Sequence, residues 1–202
     1  MLSIFTKLFN LIFYSGKTPD DWALGVIKPI YKNKGNIDDP GNYRGITLLS
    51  CFGKLFTSVL NSRLINYLDW NCHIGCEQAG FRAGHSTVDH IFTLHCIIDF
   101  FLMKKKRLYC LFIDYEKAFD YVNRAFLWQK LLKSGVNGQM LTVIKDIYQK
   151  AKSCIRVNDH CSEFFQCYSG VRQGENLSPL LFAIYLNDID SVAEGVQGSL
   201  TI

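Results

Sequence analysis

The segment Leu108–Asp120, LYCLFIDYEKAFD, constrains the fold of this chain more than any other. Six consecutive residues, Leu108 to Ile113, are apolar or aromatic. The charge run Lys104–Arg107 precedes them and Asp114 follows. A short apolar run closed by charges at both ends suits a buried strand better than a helix. The expectation is a strand over 108–113 with a carboxylate at its tip. That is a common way to present a metal ligand at the mouth of a site. By local sequence alone, Asp114 reads rather as a strand-end residue capping the next turn. Farther on, Ser169–Phe182, SGVRQGENLSPLLF, is a Gly-flanked polar turn running into an apolar helix.

The rest of the chain mixes helical and strand periods in an order that argues α+β. Ile4, Leu8, Leu11 and Ile12 suit an amphipathic helix ended by Gly16. Asp21–Tyr31 reads as a strand-rich segment with Val26, Ile27, Ile30 and Tyr31 as its apolar set. The Asn, Gly, Asp and Pro residues of Lys32–Tyr43 read as a loop. Ser50 is placed to cap a long helix with Leu55, Val59, Leu60, Leu64 and Leu68 on one face. Ser86 caps another through Phe101, with Val88, Ile91, Phe92 and Ile98 inward. A helix over 123–134 is closed by Gly135, and one more spans Leu141–Gln149. Cys154–Val157 and Glu163–Cys167 alternate around Asn158–Asp159, which predicts a hairpin. Ser178–Pro179 opens the last helix with Pro at its first position.

With 202 residues, 49% apolar and 20% charged, the chain fits one globular unit with a sizeable core. Its net charge of +4 is compatible with a nucleic-acid partner. Lys28, Lys32 and Lys34 cluster, whereas Lys104–Arg107 reads as a solvated helix end. The eight cysteines form no C-x-x-C pair, which argues against a zinc ribbon or a thioredoxin-type site. Cys72, His73 and Cys76 have weak ligand spacing and read as structural, while Cys96 and Cys110 sit in apolar runs as small hydrophobes. Reduced thiols and the lack of a secretory signal fit an intracellular protein, in cytoplasm or nucleus. No run reaches the ~18 apolar residues of a membrane span, so no membrane partner is expected.

Four segments in order carry a family likeness. They are VIKPIYKNKG (Val26–Gly35) with NYRGITLLS (Asn42–Ser50), then EQAGFRAGHSTVDHI (Glu77–Ile91), then F-x-D-x-x-K-A-F-D and G-V-R-Q-G-x-x-L-S-P-L-L-F. Phe112, Asp114, Lys117, Ala118, Phe119 and Asp120 match the third, and Gly170 to Phe182 the fourth. Together they resemble the reverse transcriptases of non-LTR (LINE-type) retrotransposons, from about Asp21 to Asp190. A maturase-type intron enzyme is a more distant likeness. The resemblance implies an α+β right-hand polymerase: an N-terminal helix over 1–20, a fingers-like segment over 21–107 and a partial palm over 108–202, with the thumb absent. It implies RNA-directed DNA polymerisation with an RNA template, a DNA primer and deoxynucleoside triphosphates. The expected cofactor is Mg²⁺, with Mn²⁺ as the alternative ion, and oligomeric state is left open.

Residue by residue, the resemblance makes Asp114 a catalytic, metal-binding carboxylate and the Tyr115 carbonyl an accessory ligand beside the nucleotide. It sets the Phe119 ring under the incoming sugar, where it clashes with a ribose 2′-hydroxyl; the plainer alternative is a core aromatic. It gives Arg44 the triphosphate, because a planar fork suits phosphate oxygens, with Lys32 or Lys34 assisting. Arg82 becomes a template-strand or fingers contact. Gln173 hydrogen-bonds the nucleotide sugar, and Gly174 lets the backbone approach the base pair. Asp120 reads as a helix N-cap rather than a second metal carboxylate. Where the family commonly has Cys-Pro after that glycine, this chain has Glu175–Asn176. The family's third palm block, with its two adjacent aspartates, has no match after Asp190, since Asp188 and Asp190 are not adjacent. The sequence expectation is therefore a truncated domain that does not polymerise DNA by itself. The competing reading is a remnant that at most binds nucleic acid.

Overall fold

The computed structural model describes residues 2–71, 73–75 and 78–189. It begins with helix α1 (Leu2–Ser15), ended by Gly16 at φ +69°, and a single turn α2 (Asp20–Ala23). Strands β1 (Leu24–Tyr31) and β2 (Tyr43–Leu49) follow as an antiparallel ribbon, in register from Gly25↔Leu49 to Tyr31↔Tyr43. Two long helices come next, α3 (Cys51–Trp70) and α4 (Thr87–Met103). Helices α5 (Arg124–Lys133) and α6 (Gly138–Gln149) lead into β3 (Lys152–Val157). The short strands β4 (His160–Cys161) and β5 (Phe165–Gln166) fold back on β3, and α7 (Ser178–Leu186) ends the described part. The sheet is small and mixed: β1 pairs β2 antiparallel and β3 parallel, and β3 pairs β4 and β5 antiparallel. The parallel pair is possible because four helices separate β1 from β3, enough chain for a crossover.

The core lies among α3, α5, α6 and α7. Helix α3 buries Phe56, Leu60, Leu64 and Leu68, one residue every four, so a single stripe faces inward. Against it stand Leu127 and Leu131 of α5, Val143, Ile144 and Tyr148 of α6, and Leu181 and Ile184 of α7. Capping sets the helix starts. The Ser50 hydroxyl accepts from the Gly53 amide at 3.5 Å, and Asn123 Oδ1 accepts from the Ala125 and Phe126 amides at 2.9 and 3.3 Å.

Several expectations fail here for physical reasons. Residues 108–113 form no strand, and Tyr109, Leu111 and Phe112 are 84%, 86% and 79% exposed. Apolarity forecasts burial, but a strand also needs a ladder partner, and no described strand runs beside this segment. Helix α4 forms, with Asp89 Oδ2 accepting from the Ser86 amide at 2.9 Å. It buries none of its residues, and Val88, Ile91, Phe92 and Ile98 are all exposed. Apolar residues surround this helix on every side, so its sequence defines no single inward face. On α3, Leu55 is exposed and Val59 half-buried, because the buried stripe runs through Phe56 instead. Asp120 is not an N-cap. It lies in a turn, its amide donating to the Lys117 carbonyl at 2.8 Å, and Asn123 caps α5 in its place. Lys104–Arg107 is exposed beyond α4, as a solvated helix end should be.

Arg124, at the first position of α5, ties the helical core to the loop that carries the candidate site. Its Nε donates to the Gly170 carbonyl (2.9 Å), Nη1 to Tyr148 (2.7 Å) and Cys167 (2.6 Å), and Nη2 to Ser169 (3.0 Å). The guanidinium carbon also lies 5.2 Å from the Tyr148 ring centroid. A planar fork serves four carbonyls at once, whereas an ammonium is a single point of charge. Arg124→Lys is therefore expected to lower the free energy of unfolding by about 2 kcal/mol. Urea titration checks this, and an unmoved midpoint contradicts it.

Candidate functional site

Loop 169–174 joins three segments that are remote in sequence. The Gly170 amide donates to the Val122 carbonyl at 2.9 Å and the Val171 amide to the Phe119 carbonyl at 2.7 Å. On its other side, the Gln173 carbonyl accepts from the Thr47 amide of β2 at 2.8 Å. Glycine is required at both contacts. At Gly170 (φ +77°) a Cβ would stand 2.7 Å from the Asp120 oxygen and 2.8 Å from that of Phe119. At Gly174 (φ +113°) it would stand 2.5 Å from the Thr47 oxygen. Both φ values lie where L side chains are strained, so close approach and conformation demand the same residue.

A buried polar layer lies under this loop. Thr57 Oγ1 donates to Glu175 Oε1 at 2.6 Å, joining α3 to the loop. Arg172, 6% exposed, donates through Nη2 to the Ala23 carbonyl at the entry to β1. Its Nε and Nη1 are buried without a hydrogen-bond partner among the described residues. The Tyr148 hydroxyl pairs with Ser178 Oγ at 3.1 Å, and burial pushes its pKa well above the usual tyrosine value. Burial also raises the Glu175 carboxyl, opposed by the Thr57 hydrogen bond and the Arg172 charge.

Of the residues singled out by sequence, Phe119, Gln173 and Gly174 lie in segments that this joint connects, and Arg44 shares β2 with Thr47. Asp114 is exposed in an irregular segment just before a turn over 116–121, in which Lys117 stands at φ +49°. The Tyr115 ring meets Phe182 edge-on at 6.5 Å, and half-buried Phe119 stacks on Phe182 at 5.1 Å and 19°. A surface cleft of about 600 Å³ opens beside Tyr115, lined also by Phe126, Lys130, Lys133 and Tyr185. Gln173 and Gly174 hold the β2 contact. Arg44 is exposed on β2 opposite Ile30, and Lys28 stands opposite Ile46. That register sets Lys28 and Arg44 diagonally on one sheet face. Lys32 Nζ donates to the Gly41 carbonyl at 2.9 Å, and Lys34 is exposed in the loop between β1 and β2. Arg82 is occupied locally: Nη1 donates to the Gly75 and Gln78 carbonyls at 2.9 and 3.3 Å, and Nη2 pairs with Asp69 at 3.4 Å. Asp188 pairs with Lys130. Cys72, Cys76 and Asp190 lie outside the described residues. Among the described residues no three His, Cys, Asp or Glu side chains are grouped to hold a metal. Sequence reasoning passed over Thr57, Phe81 and Phe182. Phe81 and Phe182 sit inside the recognised blocks, each the single Phe, Tyr or Trp of its block, which was the available signal.

The family model described as "Reverse transcriptase (RNA-dependent DNA polymerase)" matches residues 30–197. The chain is 30% identical over 187 residues to the probable RNA-directed DNA polymerase from transposon X-element of Drosophila melanogaster, covering 91% of this chain and 20% of that protein. It is 28% identical over 191 residues to the RNA-directed DNA polymerase from mobile element jockey of the same fly, covering 93% and 20%. It is 29% identical over 178 residues to the retrovirus-related Pol polyprotein from type-1 retrotransposable element R2 of Nasonia vitripennis, covering 87% and 17%. The chain thus spans about a fifth of the length of the curated relatives it matches.

The buried Glu175 makes stability depend on pH in a defined direction. Its folded pKa is raised above the ordinary value of 4.5, so the folded state holds this proton more tightly than the unfolded chain. The associated stability is fully present below pH 4.5 and is lost as pH rises through the folded pKa. Glu175→Gln keeps an acceptor for Thr57 and cannot titrate. Its melting temperature is expected to gain on wild type as pH rises from 4.5 towards neutrality. A difference that stays flat over that range contradicts the assignment.

Proposed function

This chain belongs to the reverse transcriptase family, and from that premise we propose that it is the nucleotide-adding domain of a retrotransposon RNA-directed DNA polymerase. The reading rests most on the joint at 169–174, which gathers the turn after Asp114, the Gln173–Gly174 segment and the Arg44-bearing strand. Residues 1–20 are then an N-terminal helix, 21–107 the fingers, and 108 onward part of the palm. The partners are an RNA template, a DNA primer and deoxynucleoside triphosphates.

Nucleotide addition is phosphoryl transfer, in which a protein mainly positions the reactants and balances charge. Asp114 and the Tyr115 carbonyl offer hard oxygens of the kind Mg²⁺ or Mn²⁺ takes. Held there, the ion would take these two oxygens and leave its other positions to phosphate oxygens and water. Such an ion, when bound, neutralises charge that develops on the phosphoryl group. The Arg44 fork grips triphosphate oxygens, with Lys32 and Lys34 nearby and Lys28 on its own sheet face. Phe119 excludes a 2′-hydroxyl, Gln173 hydrogen-bonds the sugar, and Gly174 leaves room for the base pair. Arg82 serves the template side indirectly, by bracing its own loop.

Primer extension on an RNA template, by a polypeptide carrying this domain, tests the reading. Asp114→Asn is expected to reduce extension by about a hundredfold or more. Primer–template binding should weaken with salt, log affinity falling by about 0.7–0.9 per unit log salt for each phosphate neutralised. Salt-sensitive binding with no Asp114-dependent extension contradicts a polymerase and leaves nucleic-acid binding alone.

A further inference from the structure

We infer that Phe81 and Phe182 are positioning residues for sugar selection: they clamp the Phe119 ring from two sides and make it a rigid wall against ribonucleotides. The inference rests on Phe119 lying under the incoming sugar, as proposed above. Phe182 stacks on Phe119 with centroids 5.1 Å apart and planes 19° apart. Phe81 meets the same ring at 6.1 Å and 87°. An offset stack and an edge-on contact are the two favoured aromatic geometries, and here one ring makes both.

The two braces differ in origin. Phe182 belongs to α7, whose neighbouring residues Leu181 and Ile184 are in the core, so its backbone is fixed. It also receives the edge of Tyr115, so one ring supports a residue just before the 116–121 turn and another within it. Phe81 lies on the loop between α3 and α4, with φ +62° and 66% exposure. A bulky residue seldom adopts that conformation, and burial offers little reason for an aromatic there. Strained backbone of this kind tends to collect at functional sites. Arg82 ties the same loop to the end of α3, which holds the Phe81 ring against its neighbour.

A steric wall discriminates only if it does not yield. A free ring would rotate away from a 2′-hydroxyl at small cost, whereas a ring held on one face and touched from another side has no low-energy escape. Removing either brace should therefore admit ribonucleotides while Phe119 itself is intact.

The experiment measures kcat/KM for a deoxy- and a ribonucleoside triphosphate of the same base, in the polypeptide that carries this domain. Phe119→Val is expected to lower the deoxy preference most. Phe182→Leu and Phe81→Asn should each lower it by about tenfold, chiefly through a rise for the ribonucleotide. Phe182→Tyr keeps a ring in the stack and should keep the ratio. Adding Phe182→Leu to Phe119→Val should change nothing further, because the brace acts through the ring already removed. Phe81 is exposed and asparagine tolerates a left-handed backbone, so Phe81→Asn tests the clamp even if Phe182→Leu folds poorly. A changed ratio in Phe119→Val with an unchanged one in Phe81→Asn overturns this inference alone. An unchanged ratio in Phe119→Val overturns the sugar contact, and this inference with it.

Discussion

Three main-chain hydrogen bonds, from Gly170 and Val171 to the Phe119–Val122 turn and from Thr47 to Gln173, decide how the segments bearing Phe119, Gln173 and Arg44 meet. Each contributes about 1 kcal/mol net, so their importance is geometric more than energetic. They bind backbone to backbone at 2.7–2.9 Å, which leaves no room for a Cβ at Gly170 or Gly174. Asp114 and Phe119 depend on the first pair through the turn over 116–121, which follows Asp114 and contains Phe119. Arg44 depends on the third, because Thr47 and Arg44 share β2. Arg124 and the Thr57–Glu175 pair secure the loop from below, one through four carbonyls and the other through a single short bond to α3.

The molecule divides into parts with opposite physical character. Helices α3, α5, α6 and α7 enclose an apolar core in which Leu64, Leu127, Ile144 and Leu181 are almost wholly buried. The surroundings of Asp114 are exposed and rich in uncommon conformations, with Lys117 at φ +49° and Phe81 at φ +62°. Such strain persists only where rigid structure overrides it. Here the rigid structure is the core itself, reached from the site through Phe182 on α7 and Arg124 on α5.

Local features of the fold were legible in the sequence, because local chemistry makes them. Ser50 caps the helix it precedes, Gly16 and Gly135 close helices with positive φ, and Asn158 turns the β3–β4 hairpin at φ +53°. The recognised blocks also meet in space. What was illegible depends on partners. The 108–113 run carries a strand's composition without a described neighbour to pair with, and α4 is apolar on all sides, so neither could be oriented from periodicity. Asp120 was misread because a capping residue is defined by where the helix starts, and α5 starts at Arg124. The Phe81–Phe119–Phe182 contact and the Thr57–Glu175 bond each join residues at least 38 positions apart, a distance no window of local pattern spans.

Native-state hydrogen exchange at the Thr47 and Val171 amides tests the central claim most directly. If the 169–174 loop joins the site segments, both amides exchange as slowly as those in the buried stretch of α3 around Leu64. In Gly174→Ala the Thr47 amide should then lose that protection, because the new Cβ meets the Thr47 oxygen. Wild-type Thr47 and Val171 amides that exchange as fast as the exposed Lys104–Arg107 segment would contradict the account.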